Sequence, residues 1–173
     1  MNPYTALARK ALRTYLESKK TVEPPQDLPK EMLEEKAGVF VTLEKDEELR
    51  GCIGTFLPAY NNIAEEVIKN AIAAGTRDNR FLPVIVSEIP KLSFTVSILS
   101  KPEQVEGLED LDPKKYGVIV KGESTNRRGL LLPDLSGVDT PDKQVAICLQ
   151  KGGINSEEEK VSFYRFTVKK YRG

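Results

Sequence analysis

The sequence has 173 residues, enough for one compact domain, or one with a small subdomain, and for a sizeable buried core. Lysines and arginines number 26, as do aspartates and glutamates, so the formal charge is zero and no basic excess points to a nucleic acid or an anionic membrane. Histidine is absent, which removes Ser-His-Asp triads, Cys-His dyads and most zinc or iron sites that one chain could build, and leaves proton transfer to Asp, Glu, Lys, Tyr or Cys.

Along the chain, apolar residues recur at three and four from Tyr4 to Leu16 and predict an amphipathic helix. The N-terminus lacks the apolar core of a signal peptide and no run of 18 apolar residues exists, so a cytoplasmic, membrane-free protein with two free thiols is expected. Three prolines mark an extended connection before a short helical turn at Lys30 to Glu35. Gly38 to Glu44 and Leu49 to Phe56 then predict two strands of a hairpin around the charged turn KDEE. The spacing from Ile63 predicts a helix with Glu65, Glu66 and Lys69 on its polar face and a C-cap at Gly75.

KLSFTVSILS alternates as a half-buried strand does, and Tyr116 to Lys121 and Gly129 to Leu132 predict two more around a polar turn. Thr140 as cap, Pro141 at the first turn and the glycines at 152 and 153 bound a helix of about three turns. One last strand, VSFYRFTVKKY, ends the pattern, and Cys148, Phe163, Tyr164 and Phe166 are expected in the core. GLEDLDPKK lacks the glycine of a calcium loop and is expected to be a solvated turn. Strands in hairpins predict an α+β fold with a mainly antiparallel sheet flanked by helices. The N-terminal helix and C-terminal strand are expected in a larger lobe, with a smaller lobe from the middle of one domain spanning 1–173.

Chemistry concentrates in LRGCIGTF. Strand alternation puts Arg50 and Cys52 on one face, about 6.5–7 Å apart along the strand, where a guanidinium would favour the thiolate. Gly51 and Gly54 leave room for a ligand or another backbone. The plainer reading makes Cys52 a small core residue and the glycines an allowance for a bulge or tight packing. GTRDNRF holds Arg77, Asp78 and Arg80 within four positions, which suits either an anion site or a pair that fixes a loop. If that loop folds toward Cys52, Asp78 is the candidate base. NRRGLLLPD reads as a hairpin arm entering a buried strand, with Arg128 as a candidate binding residue.

LRGCIGTF, then RDNRF, then RGLLLP resemble, in that order, the motifs of the family named for the Alport syndrome, midface hypoplasia and elliptocytosis chromosomal region, here AMMECR. The likeness runs from about Tyr4 to Tyr171; Asn79 and Leu82 stand where the family has prolines, and Asp134 where glutamine is frequent. The resemblance implies a two-lobed α+β fold with a cleft in which the cysteine motif meets the arginine/aspartate loop. It implies as site residues Arg50, Gly51, Cys52, Gly54 and Thr55, then Asp78, Arg80 and Phe81, then Gly129 to Pro133. It is similar to bacterial and archaeal members called AmmeMemoRadiSam system protein A, which implies Memo-like and radical SAM partners.

Two readings follow. In one, the protein is an enzyme acting with those partners on a small molecule or in biomolecule modification. Cys52 is then the nucleophile, Asp78 handles protons, Arg80 binds an anionic group, and no cofactor is called for. In the other, the same residues line a cleft of a non-catalytic ligand-binding or adaptor protein. Nucleic-acid binding ranks behind both, resting only on Arg127/Arg128 and Lys169/Lys170.

Overall fold

The computed structural model describes residues 2–173, and the chain divides into two units. The first is built from the chain up to Leu99 and from Lys169–Gly173, and the second is Ser100–Val168. Each holds one four-stranded sheet. With 33% helix and 28% strand in two antiparallel sheets flanked by helices, the fold is α+β, as the hairpin pattern predicts.

In the first unit α1 (Pro3–Ser18) starts where the Asn2 side chain accepts the Tyr4 N–H, and ends at Lys19, whose φ of 60° stops the helix. After a short α2 (Lys30–Glu34), β1 (Gly38–Lys45) and β2 (Glu48–Thr55) form the hairpin, and α3 covers Ile63–Thr76. A 3-10 turn, Val86–Lys91, leads into β3 (Leu92–Leu99). With β8 (Val168–Arg172) these strands make a sheet ordered β2-β1-β3-β8. Leu7, Ala8, Ala11 and Leu12 of α1 and Val67, Ile68 and Ala71 of α3 pack on Val39, Val41, Leu43, Phe94 and Val96, all buried. Each fully buried Leu, Ile or Val side chain adds about 1.5–3 kcal/mol, so this face carries much of the unit's stability.

Two expectations change here. Gly75 lies inside α3, which is capped at Arg77, and a Cβ there would come within 2.5 Å of the Leu12 side chain. That glycine allows α1 and α3 to approach; it does not end the helix. Glu66 lies in the buried stripe with Ile63, Val67, Asn70 and Ala74 and is fully buried.

The second unit contains β4 (Glu103–Val105), β5 (Gly117–Gly122), β6 (Arg128–Leu131), α4 (Pro141–Gly152) and β7 (Val161–Phe166), its sheet ordered β4-β7-β5-β6. Thr140 caps α4 through its hydroxyl and Gly153 closes it at φ 61°. Val118, Val120, Leu131, Val145 and Cys148 form the core. Burial pushes the Cys148 thiol up to about 11, consistent with a packing residue. Of the aromatics expected in the core, Phe166 is buried while Phe163 and Tyr164 are only half-buried. The predicted final strand is two: at Thr167 the chain leaves one sheet and enters the other, because alternation records pleat and not the strand beside it.

Candidate functional site around Cys52

β2 is the edge of its sheet, and its pairing slips once. Leu43 faces Gly51 and Glu44 faces Leu49, so Arg50 is the extra residue of a β-bulge. The bulge re-aims Arg50 toward the 3-10 turn, where Nε donates to Glu88 Oε1 and Nη2 to Oε2, both at 3.1 Å. Arg50 Nη1 also donates to the Leu82 carbonyl at 2.9 Å. Glu88 further accepts from Lys45 Nζ at 3.2 Å and from the Ile85 N–H at 3.1 Å. Arg50 above all holds the Glu88 carboxyl down to about 2. The cation expected to favour a thiolate at Cys52 is thus committed to a carboxylate and a carbonyl.

Cys52 stands opposite Thr42, and its N–H donates away from β1 to Asp78 Oδ2 at 2.9 Å. That makes Thr42 and Cys52 a non-hydrogen-bonded pair, the kind whose side chains lie closer. Thr42 Oγ1 and Cys52 Sγ are 3.2 Å apart. Their neighbours Val41, Leu43 and Ile53 turn to the helix-covered face, so the half-buried thiol lies on the other face.

The loop after α3 meets β2 as the candidate site requires. Asp78 is 7% exposed, and Arg80 holds it through Nε to Oδ1 at 3.0 Å and Nη2 to Oδ2 at 2.7 Å. Those bonds, with the Cys52 N–H, keep the Asp78 carboxyl far below the usual range. Arg80 is held charged chiefly by Asp78, with a smaller contribution from the Cys52 sulfur. Arg80, not Arg50, is therefore the cation tied to Cys52, through Asp78 Oδ2, which accepts from both Arg80 Nη2 and the Cys52 N–H. A carboxylate so reluctant to take a proton, with both oxygens occupied, is a poor general base near neutral pH; it fixes the loop and blunts the sheet edge.

The remaining sequence-predicted residues divide between packing and solvent. A Cβ on Gly51 would strike the Ala74 carbonyl of α3, and one on Gly54 the Phe40 side chain, so close packing accounts for both glycines. Thr55 Oγ1 donates to Glu66 Oε2 at 2.9 Å. Glu66 also accepts from the Ala59 and Tyr60 N–H groups and from Asn70 Nδ2. The Arg80 guanidinium lies 5.5 Å from the Phe81 ring, and Arg77 is exposed beyond its backbone cap to Ala73. Arg128 is exposed on β6 in the second unit.

Sequence reasoning missed Thr42, Glu66 and Glu88. Glu66 had a signal: it falls at helical spacing with Ile63 and Asn70, inside the apolar stripe. Glu88 had a weaker one, a lone acid within the apolar LPVIVSEIP. Thr42 had none, since only register pairs it with Cys52.

Among the described residues no group of three or more His, Cys, Asp or Glu could hold a metal, and no helix is long and apolar enough to cross a membrane. Fold and site define an α+β protein in which a half-exposed thiol on a sheet edge is framed by a hydroxyl and an arginine/aspartate pair. The AMMECR1 family model matches residues 5–171, and the chain belongs to that family. A Thermotoga maritima protein is 49% identical over 99% of this chain and 98% of its own length. A Clostridium acetobutylicum protein is 45% identical over 98% of this chain, which spans only 35% of that protein. Among solved structures, an uncharacterized protein of Pyrococcus horikoshii is similar at TM-score 0.86 and 35% identity, covering 98% of this chain and 89% of its own.

Proposed function

We propose that the protein is a binding module that docks other proteins through the loop following α3, and that the LRG and RDNRF motifs act mainly to hold this loop in place. The carrying observation is a rigid loop with apolar side chains in solvent. Leu82 is 85% exposed, Ile85 60% and Val86 41%, and Leu49 beside Arg50 is 43% exposed. The backbone of this segment is pinned at Leu82 by Arg50, at Ile85 by Glu88 and at Val84 by the Gly75 carbonyl. A loop fixed before docking loses little entropy on docking, and each side chain buried by a partner adds about 1.5–3 kcal/mol. The Clostridium relative, in which the matched part is about a third of a longer chain, supports work alongside another protein domain.

The partners to test are the Memo-like and radical SAM proteins of the same organism. In isothermal titration, wild-type protein should bind at least one of them, and Leu82→Asp/Ile85→Asp should weaken binding about tenfold or more while melting as wild type does. Absence of binding to both, or equal binding by the variant, would overturn the reading.

A second reading, a cysteine-dependent enzyme, is favoured by the thiol's contact with Thr42 and by the Asp78–Arg80 pair that holds the Cys52 backbone N–H. It requires the Arg80→Gln variant to react more slowly with iodoacetamide at Cys52. It also requires Cys52→Ser to fold normally, keep partner binding and lose function; the docking reading expects function to persist.

A further inference from the structure

On the solvent side of α1, Ala6, Arg9, Lys10, Arg13 and Thr14 line a surface hollow of about 190 Å³. Three cations meet there within five positions, and among the described residues none of them has a carboxylate within ion-pair distance. Elsewhere in this unit the half-buried cations Lys45 and Arg50 both pair with an acid.

Arg9 is held in place. Its Nη1 donates to the Ile89 carbonyl and its Nη2 to the Leu92 carbonyl, each at 2.9 Å, and its guanidinium carbon lies 4.6 Å from the Phe94 ring centroid. A guanidinium has five N–H donors, so three are left free in a fixed orientation. Burial, and then repulsion from Arg13, lower the hold of Arg9 on its proton. An anion seated between the two arginines would relieve that repulsion.

We propose that this hollow binds the phosphate group of a phosphomonoester, with Arg9 as the pre-oriented donor, Lys10 and Arg13 closing on it from the helix, and Thr14 offering a hydroxyl. Arginine's planar fork suits phosphate oxygens, and a doubly charged group meets three positive charges. The hollow is smaller than the roughly 300–1,000 Å³ of a pocket for a whole small molecule, so it takes the phosphate while the rest of the ligand lies outside. Two sources share this chemistry, a soluble phosphorylated metabolite and a lipid headgroup. The inference is independent of the docking loop.

The test is a titration of ¹⁵N-labelled protein with inorganic phosphate, sodium chloride holding the ionic strength constant. Saturable shifts confined to residues 6–14 and the Arg9 and Arg13 side-chain signals are expected, with a dissociation constant on the order of 1 mM. Lys10→Gln/Arg13→Gln should weaken binding about tenfold; both residues are exposed, so the fold should be retained. Non-saturating shifts, or the same affinity in the variant, would overturn the proposal. Adenosine monophosphate and phosphatidylcholine vesicles containing phosphatidic acid then separate the sources. Competition by the nucleotide alone assigns a soluble ligand, and sedimentation with vesicles alone assigns a headgroup. Failure of both rejects the phosphomonoester.

Discussion

Glu88 titrates near 2 because Arg50, the Ile85 N–H and Lys45 all stabilise its charge. A carboxylate whose hold on protons weakens on folding adds stability above its unfolded value near 4.3, and that stability is lost as pH falls through the folded value. Glu88 should therefore add on the order of 2–3 kcal/mol at neutral pH, its loss falling between about pH 4.5 and pH 2. Urea unfolding of wild type and Glu88→Gln across this range should show a gap that is widest at neutral pH and closes in acid. Asp78, also lowered, should behave likewise. By contrast Cys52→Ser should stay within about 1 kcal/mol of wild type, since the thiol is only half-buried and serine can keep the Thr42 contact.

Between elements, the closest tolerances lie where β2 meets α3. Gly51→Ala would drive a methyl group into the Ala74 carbonyl, and neither backbone can yield without disturbing a helix or an edge strand. A loss of about 3 kcal/mol or more is expected in chemical denaturation. Glu66 ties three elements together: Thr55 at the end of β2, the Ala59 and Tyr60 amides of the following loop, and Asn70 on α3. Glu66→Ala leaves the half-buried Thr55 hydroxyl and the Ala59 and Tyr60 amides without this acceptor, while Asn70 keeps the Val39 carbonyl, and should cost about 1–3 kcal/mol. Hydrogen exchange checks the cause, since the Ala59 and Tyr60 amides should lose protection before the helix does. Element boundaries were legible within a residue or two wherever a cap or period marked them, as at Tyr4, Thr140 and Gly153. The three-residue β4 was not, because so short a strand has no period to read.

For the molecule as a whole, the C-terminal strand completes the first unit's sheet, though most of that unit precedes Ser100. Phe94 and Gly173 exchange both backbone hydrogen bonds, and Tyr171 stacks on Tyr4 of α1 with ring centroids 3.9 Å apart. A protein truncated after Thr167 leaves β3 as an unprotected edge and uncovers Tyr4. A stability loss of about 3 kcal/mol or more and concentration-dependent aggregation are expected, measured by urea unfolding and light scattering. A truncated chain as stable and monodisperse as wild type would refute this role for β8.

Period, punctuation and composition were enough to give the α+β class, the four helices, the hairpin carrying Cys52 and the missing histidine partner, because these are properties of neighbours along the chain. The use to which the motif residues are put was decided elsewhere. A one-residue bulge turns Arg50 from Cys52 to Glu88, 38 positions on, and Asp78 is drawn to a backbone amide and so withheld from proton transfer. Strand register and the packing of α3 on β2 set those partners, and both depend on residues far apart in the chain, which no local spacing encodes.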